Sequence, residues 1–155
     1  MNNKKLSIII VNYNGEKYIE NCINSIHKYC SSVDYEIIII DNNSVDNSVD
    51  LIKDYYSDSI LIESEKNLGF AKANNLGVEN SSGKYVLLLN NDTILLNDIS
   101  TSISILEKDK EIGLLGIKML DKDLNYSKSS GNFPKLLSLM FFSKLFSNKK
   151  GFSDG

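Results

Sequence analysis

The segment Leu6–Gly15 reads LSIIIVNYNG, an almost unbroken, mostly β-branched apolar run stopped by Asn-Tyr-Asn-Gly. Without polar alternation, such a run predicts a strand buried on both faces, the pattern of a parallel sheet. Working outward, Tyr35–Ile40 (YEIIII) repeats it and ends at Asp41, Ile60–Ile62 is a shorter version, and Tyr85–Leu89 (YVLLL) and Ile112–Ile117 read as two more strands. Helical spacing fills the gaps. From Glu16, the residues Ile19, Cys22, Ile23, Ile26 and Cys30 recur on one face, with Asn14 as the expected cap. Ser44 or Asp46 can cap a helix carrying Val49, Ile52, Tyr55 and Tyr56. Gly69–Val78 and Asp98–Leu106 read as two further helices. Strand–helix alternation with right-handed crossovers predicts an α/β fold: a mostly parallel, doubly wound sheet with helices on both faces, in three α/β/α layers.

The chain has 155 residues, about one domain by length, with 42% hydrophobic and 24% charged residues and one proline. That composition excludes disordered and collagen-like chains. With 17 Lys+Arg against 20 Asp+Glu, the net charge of -3 offers no global attraction for nucleic acid. All 17 basic residues are lysines, so a phosphate site has to use backbone amides, lysine or a metal instead of guanidinium forks. Cys22 and Cys30 lie in no metal-binding spacing and read as reduced core thiols. No signal-peptide core and no apolar run of about 20 residues is present, which points to a cytoplasmic chain.

In an open parallel sheet, ligands gather at the carboxyl ends of the strands. Polar residues lie there: Asn12, Tyr13 and Asn14 after the first strand, Asp41, Asn42 and Asn43 after the second, Asn90, Asn91 and Asp92 after the fourth. Turns and helix caps explain each group alone. Together they aim amides and carboxylates into one crevice. Neither G-x-G-x-x-G nor G-x-x-x-x-G-K-[ST] occurs, so dinucleotide-binding and P-loop readings lose support. One carboxylate beside two amides suits a hard cation, Mg²⁺ or Mn²⁺, whose other ligands are waters and diphosphate oxygens.

Four blocks, LSIIIVNYNGEKYIENCINSI (Leu6–Ile26), YEIIIIDNNSVDNSVDLI (Tyr35–Ile52), NLGFAKANNLGVENSSGKYVLLLNNDTIL (Asn67–Leu95) and IGLLGIKML (Ile112–Leu120), follow one another as in family 2 glycosyltransferases. Over roughly residues 5–134 the chain resembles that family, most of all its rhamnosyltransferase-like branch in bacterial surface polysaccharide synthesis. The resemblance implies a GT-A type fold and sugar transfer with inversion from a UDP- or dTDP-linked donor to a glycan or lipid-linked acceptor. It implies that Tyr13 packs against the base and Asp41 accepts a hydrogen bond from it, with Asn12, Asn14 and Asn43 beside them. Gly69, Asn74 and Asn75 match the N-x-G-x-x-x-x-x-N block near the diphosphate or sugar; many relatives carry arginine where Asn74 stands, and Lys72 is the nearest cation here. Asn90, Asn91 and Asp92 replace the family's Asp-x-Asp, keeping the last, metal-binding position. The first, an amide, adds no charge.

The general base of the family belongs to a later acidic block, and nothing after Asp123 matches one; it is expected beyond Gly155. Glu107, Glu111, Asp121 and Asp123 read as solvated. Residues 1–134 are therefore read as the donor-binding domain and 135–155 as the start of an acceptor lobe. The stretch Lys135–Phe146 (KLLSLMFFSKLF) can alternatively lie on the inner membrane surface or join two copies into a homodimer. Two functions remain open: the donor half of an enzyme, or a catalytically incomplete nucleotide-sugar-binding module acting through another chain. A sugar nucleotidyltransferase would begin with a glycine-rich basic loop, which is missing.

Overall fold

The computed structural model describes residues 4–127. The chain divides into two units, Met1–Leu115 and Gly116–Gly155. In the first, the order is β1 (Leu6–Asn12), α1 (Ile19–Tyr29), β2 (Tyr35–Asp41), α2 (Ser48–Tyr55), β3 (Ile60–Glu63), α3 (Phe70–Glu79), β4 (Tyr85–Asn90) and α4 (Ser100–Lys108). The four strands form one parallel sheet in the order β3-β2-β1-β4. This is the α/β architecture that the alternating pattern predicts.

Crossover handedness explains where the helices lie. The chain steps from β1 to β2 to β3 in one direction and then returns past β1 to β4, so right-handed connections place α1 and α2 on one face and α3 on the other. The core follows this division. Ile8, Ile10, Ile37, Ile39 and Leu89 pack with Ile19, Cys22, Ile23, Ile26, Ile52, Ile99 and Ile103 on one side. Ile38 and Ile40 pack with Ala73 on the other, joined by Val11, Ile62 and Leu76. Each fully buried isoleucine contributes about 1.5–3 kcal/mol through apolar burial. On the α3 side β4 is only half covered: Val86 and Leu88 are 41% and 52% exposed.

Two clamps set the spacing. A Cβ on Gly77 of α3 would overlap Ile9 Cγ2, so the missing side chain lets the helix lie close on β1. Below the sheet, Glu36 Oε1 accepts from Ser7 Oγ (2.5 Å), Ser82 N (2.7 Å) and Ser82 Oγ (3.0 Å), tying β1, β2 and the α3–β4 loop together. Burial alone raises the Glu36 pKa, but the hydrogen bonds from Ser7, Ser82 and Gly83 outweigh it and hold it below its ordinary 4.5.

Three local expectations need correction. Ile112–Ile117 forms no strand: Gly113 and Gly116 interrupt it, Leu114 is 91% exposed, and without a partner strand its backbone joins no ladder. Asn14 does not cap α1, which starts at Ile19, three residues after the expected start at Glu16, following a Gly15–Tyr18 turn; its Oδ1 instead accepts from Val45 N at 2.9 Å. At α2 neither expected cap holds the N-cap position, which is Asn47 with no side-chain cap bond; Asp46 Oδ1, one residue earlier, accepts the Ser48 N–H (3.1 Å). In the second unit, an antiparallel bridge joins Leu120 and Tyr126 around a turn at Leu124. The expected boundary at 134/135 and the apolar stretch 135–146 lie outside the described residues.

Gly77→Ala should lower the unfolding free energy by about 1–2 kcal/mol, because overpacking against fully buried Ile9 exceeds the helix-propensity gain. Chemical denaturation checks this; with Ile9→Ala also present, the same change should become neutral or stabilising. A group with a depressed folded pKa stabilises the fold above its unfolded pKa and loses that contribution as pH falls through the folded value. Unfolding free energy should therefore contain a part that is full above pH 4.5, fades on acidification below it, and is absent from Glu36→Gln.

Candidate functional site

The strand order reverses between β1 and β4, and at such a switch point the loops leaving the two carboxyl ends diverge. An open cleft of about 450 Å³ lies there, lined by Val11, Tyr13, Asn42, Asn67, Gly69, Phe70, Asn90, Asn91 and Asp92. A second cavity of about 500 Å³ lies among Lys4, Lys5, Asp34, Ser82, Gly83 and Lys84, at the amino ends of β1 and β4. Its lysines are already paired, Lys4 with Asp34 at 2.6 Å and Lys5 and Lys84 with Glu107, which leaves little net charge for a ligand.

Strand alternation sorts the polar residues at the carboxyl ends. In register, Asn12 stands beside Asp41 and Val11 beside Asn90. Asn12 and Asp41 follow Ile10 and Ile39 onto the α1/α2 side and are buried there. Asn12 Nδ2 donates to Asp41 Oδ1 (2.9 Å), Ser48 Oγ (2.8 Å) and Ser44 Oγ (3.2 Å), while its Oδ1 accepts from Asn91 Nδ2 (3.1 Å). Asp41 Oδ2 also accepts from Ser44 N at 3.0 Å. A carboxylate has about four acceptor positions, so Asp41 retains lone pairs beyond these two bonds. Val11, Asn42 and Asn90 take the opposite parity and line the cleft with Tyr13, whose ring is 52% exposed.

The rim is built from amides. Asn42 Nδ2 donates to Asn67 Oδ1 (2.8 Å), its Oδ1 accepts from Leu68 N (2.7 Å), and Asn67 Oδ1 also accepts from Gly69 N (2.8 Å). Gly69 has φ 76 and ψ 164, a region open essentially to glycine alone, and it turns the chain from this rim into α3. Asn14 (φ 51) and Asn43 (φ 67) hold the β1–α1 and β2–α2 loops in left-handed turns, which asparagine tolerates. The loops are joined by Asn14 N donating to Ser44 Oγ (2.9 Å) and Glu16 N donating to Asp46 Oδ2 (2.9 Å).

Of the residues expected at the site, Tyr13, Gly69, Asn90, Asn91 and Asp92 share the cleft. Asn12 and Asp41 form the buried network beside it, and Asn14 and Asn43 shape the adjoining loops. Asn74 is buried in α3 with Nδ2 donating to Phe70 O at 2.9 Å, Asn75 is exposed, and neither lines the cleft. Val11, Asn67 and Phe70 are cleft residues that sequence reasoning did not place in the site, whereas Asn42, read at the crevice from its place after β2, does line it. For Val11 the usable signal was parity: positions alternating with Asn12 face the other way.

Asp92 is the one acid lining the cleft; it is exposed, and no described residue donates a hydrogen bond to its carboxylate. Among the described residues no three His, Cys, Asp or Glu side chains cluster as a ready-made metal cage. One free carboxylate beside amide oxygens fits a Mg²⁺ or Mn²⁺ ion that keeps its waters and takes substrate phosphate oxygens. Beneath, the buried Cys22 Sγ donates to Asn90 O at 3.6 Å, and burial together with the Asp92 charge pushes its pKa up to about 12. It remains a neutral packing group.

A profile described as Glycosyl transferase family 2 matches residues 7–151. The chain belongs to that family. It is 26% identical over 133 residues to the glycosyltransferase GlyG of Streptococcus pneumoniae, covering 83% of this chain and 42% of GlyG. The fold superposes on S. aureus TarS 1-349 in complex with UDP with a TM-score of 0.60 and 24% identity, covering 67% of this chain and 32% of that one. It also superposes on mannosyltransferase PcManGT from Pyrobaculum calidifontis, in complex with GDP-Man and Mn2+, with a TM-score of 0.56 and 18% identity, covering 66% and 31%. The chain thus spans less than half the length of these family relatives, and its sheet is of their GT-A type.

Gly69→Ala should cost about 1–3 kcal/mol of unfolding free energy, since nothing lies within 4 Å of the added Cβ and the backbone conformation alone is disfavoured. Denaturation that shows no loss would mean that the rim adopts another turn.

Proposed function

We propose that this chain is the donor-binding portion of a glycosyltransferase that takes its sugar from a UDP- or dTDP-linked donor. The observation that carries the reading is the composition of the switch-point cleft: an exposed aromatic ring, Tyr13, with the single free carboxylate, Asp92, elsewhere on its lining. A nucleoside diphosphate has matching parts, an apolar flat base and a doubly charged phosphate pair. Tyr13 gives the base a face to stack on, and the remaining lone pairs of Asp41 can accept a pyrimidine N–H.

Asp92 places negative charge where no lysine lines the cleft, so by itself it would repel a diphosphate. A divalent cation reverses that sign and, when bound, neutralises the charge growing on the departing diphosphate. The chain's own residues then do the holding. Asn90 offers an amide to the ribose or to a metal-bound water, and the Asn67–Gly69 rim, pinned by Asn42, encloses the donor. The Mn2+ complex of PcManGT and the UDP complex of TarS, both on this fold, support the assignment.

The finer reading follows the resemblance to the rhamnosyltransferase-like branch: hexosyl or rhamnosyl transfer with inversion to a glycan or lipid-linked acceptor in surface polysaccharide synthesis. Such acceptors put the work at the cytoplasmic face of a membrane, with 135–146 as the lipid-contacting or homodimer-forming stretch. Among the described residues no helix is long and apolar enough to cross a membrane. Inversion needs a base to take the acceptor proton, and the cleft holds no acid besides Asp92. Glu107, one of the downstream acids, is paired with Lys5. That observation favours a second reading, a nucleotide-sugar-binding module that works through another chain.

Calorimetric titration should show UDP or dTDP binding that tightens with Mn²⁺, and Asp92→Ala should remove about tenfold or more of that gain. No binding by the folded chain, or a gain that survives Asp92→Ala, overturns the assignment.

A further inference from the structure

Asn12 is fully buried, yet its one amide reaches two regions of the site that would meet different parts of a donor. Its Nδ2 faces the Asp41 carboxylate at 2.9 Å and Ser48 Oγ at 2.8 Å; its Oδ1 faces Asn91 Nδ2 at 3.1 Å. The carboxylate dictates this orientation, because a flipped amide would press its oxygen against Asp41. Position 91 must then present a donor. An asparagine does so, whereas an aspartate would place a second acceptor against Oδ1.

Gly15 gives independent support. A Cβ there would overlap both Asn12 Oδ1 and Asn91 Nδ2, so the Asn12–Asn91 bond runs through the space that a side chain at position 15 would fill. Gly15 does not have a positive φ, so close approach accounts for it and turn geometry does not. A turn at a negative φ would tolerate alanine; this contact does not.

We infer that Asn12 is a positioning residue that couples Asp41, the buried carboxylate beside the cleft that the donor-site reading assigns to the base, to the diphosphate and metal side, at Asn90–Asp92, through the amide of Asn91. The coupling rests on the donor-site reading above. Asn91 therefore serves the site by holding its neighbours Asn90 and Asp92 in place, its own Nδ2 being engaged by Asn12. Ser48 anchors the same amide to the first turn of α2, so the ends of β1, β2 and β4 and the start of α2 are linked in one chain of hydrogen bonds. Ordering of either ligand moiety then favours the geometry that the other needs, and the effect is reciprocal.

The test separates the two sides with two probes: uridine, which reports the base side alone, and UDP titrated with and without Mn²⁺. Asn91→Ala should leave uridine affinity within about twofold and reduce the Mn²⁺-dependent gain in UDP affinity by about fivefold, the worth of one hydrogen bond. Gly15→Ala should reproduce the reduced gain. Asn12→Ala should weaken uridine as well, and adding Asn91→Ala to it should cost no further Mn²⁺ gain, the non-additivity of a shared link. Denaturation of each variant establishes that it is folded; if Asn12→Ala is not, the Asn91→Ala and Gly15→Ala results decide. A merely architectural role would lower uridine and UDP binding together and leave the Mn²⁺ ratio intact, which overturns the coupling. Additive losses, showing that Asn91 acts on the ligand directly, overturn it too. Failure of the unaltered chain to bind UDP overturns the donor-site reading and the coupling with it, whereas binding with an unchanged Mn²⁺ gain in Asn91→Ala overturns the coupling alone.

Discussion

A parallel strand sends successive side chains to opposite faces of its sheet, and at the carboxyl ends of β1, β2 and β4 this alternation divides the polar groups into two sets. Asn12, Asp41 and Asn91 are bonded in series under the loops, Asn91 also reaching the cleft, while Val11, Asn42 and Asn90 face the cleft. A slip of one residue in any of the three strands would exchange the sets, burying ligand groups and exposing the network. Register is therefore as much a property of the site as of the fold. It is secured by the isoleucines of β1 and β2, whose two faces each fill a different half of the core.

The fold was legible because its strongest signals are local and redundant. Four apolar runs of β-branched or leucine residues, separated by helical spacing, leave few arrangements once crossover handedness is applied. Ile112–Ile117 misled because a short apolar run carries no record of whether a partner strand is available, and two glycines within it remove the side chains that would make pairing worthwhile. Helix starts were blurred for a related reason. Asn14 has the chemistry of a cap, but the Gly15–Tyr18 turn moves α1 out of its reach and Val45 N takes the side chain instead.

The candidate site was legible as a place and less so as a set of contacts. Polar residues at three strand ends mark the crevice, and Tyr13, Asn90 and Asp92 reach it. Asn74 shows the limit: matched by the family resemblance to a donor-side position, it lies on the buried face of α3 and bonds its own helix at Phe70 O. Whether an asparagine serves a ligand or a backbone depends on which neighbours compete for it, and those neighbours come from distant parts of the chain. Asn67 reaches the rim through Asn42, 25 residues away in sequence.

Electrostatics gives the cleft its remaining character. Lining residues carry one negative charge and no positive one, in a chain without arginine. Such a surface discriminates against free phosphate and nucleic acid, since anions approach it only in company with a cation. Amides around the rim add hydrogen bonds without adding charge, so they suit a neutral sugar or ribose better than a phosphate. The combination is compatible with the proposed nucleotide-sugar ligand, which is half anionic and half neutral. Under the proposed donor reading, the lining of this cleft holds no second acid to take an acceptor proton, so the group that accepts it has to come from outside the cleft.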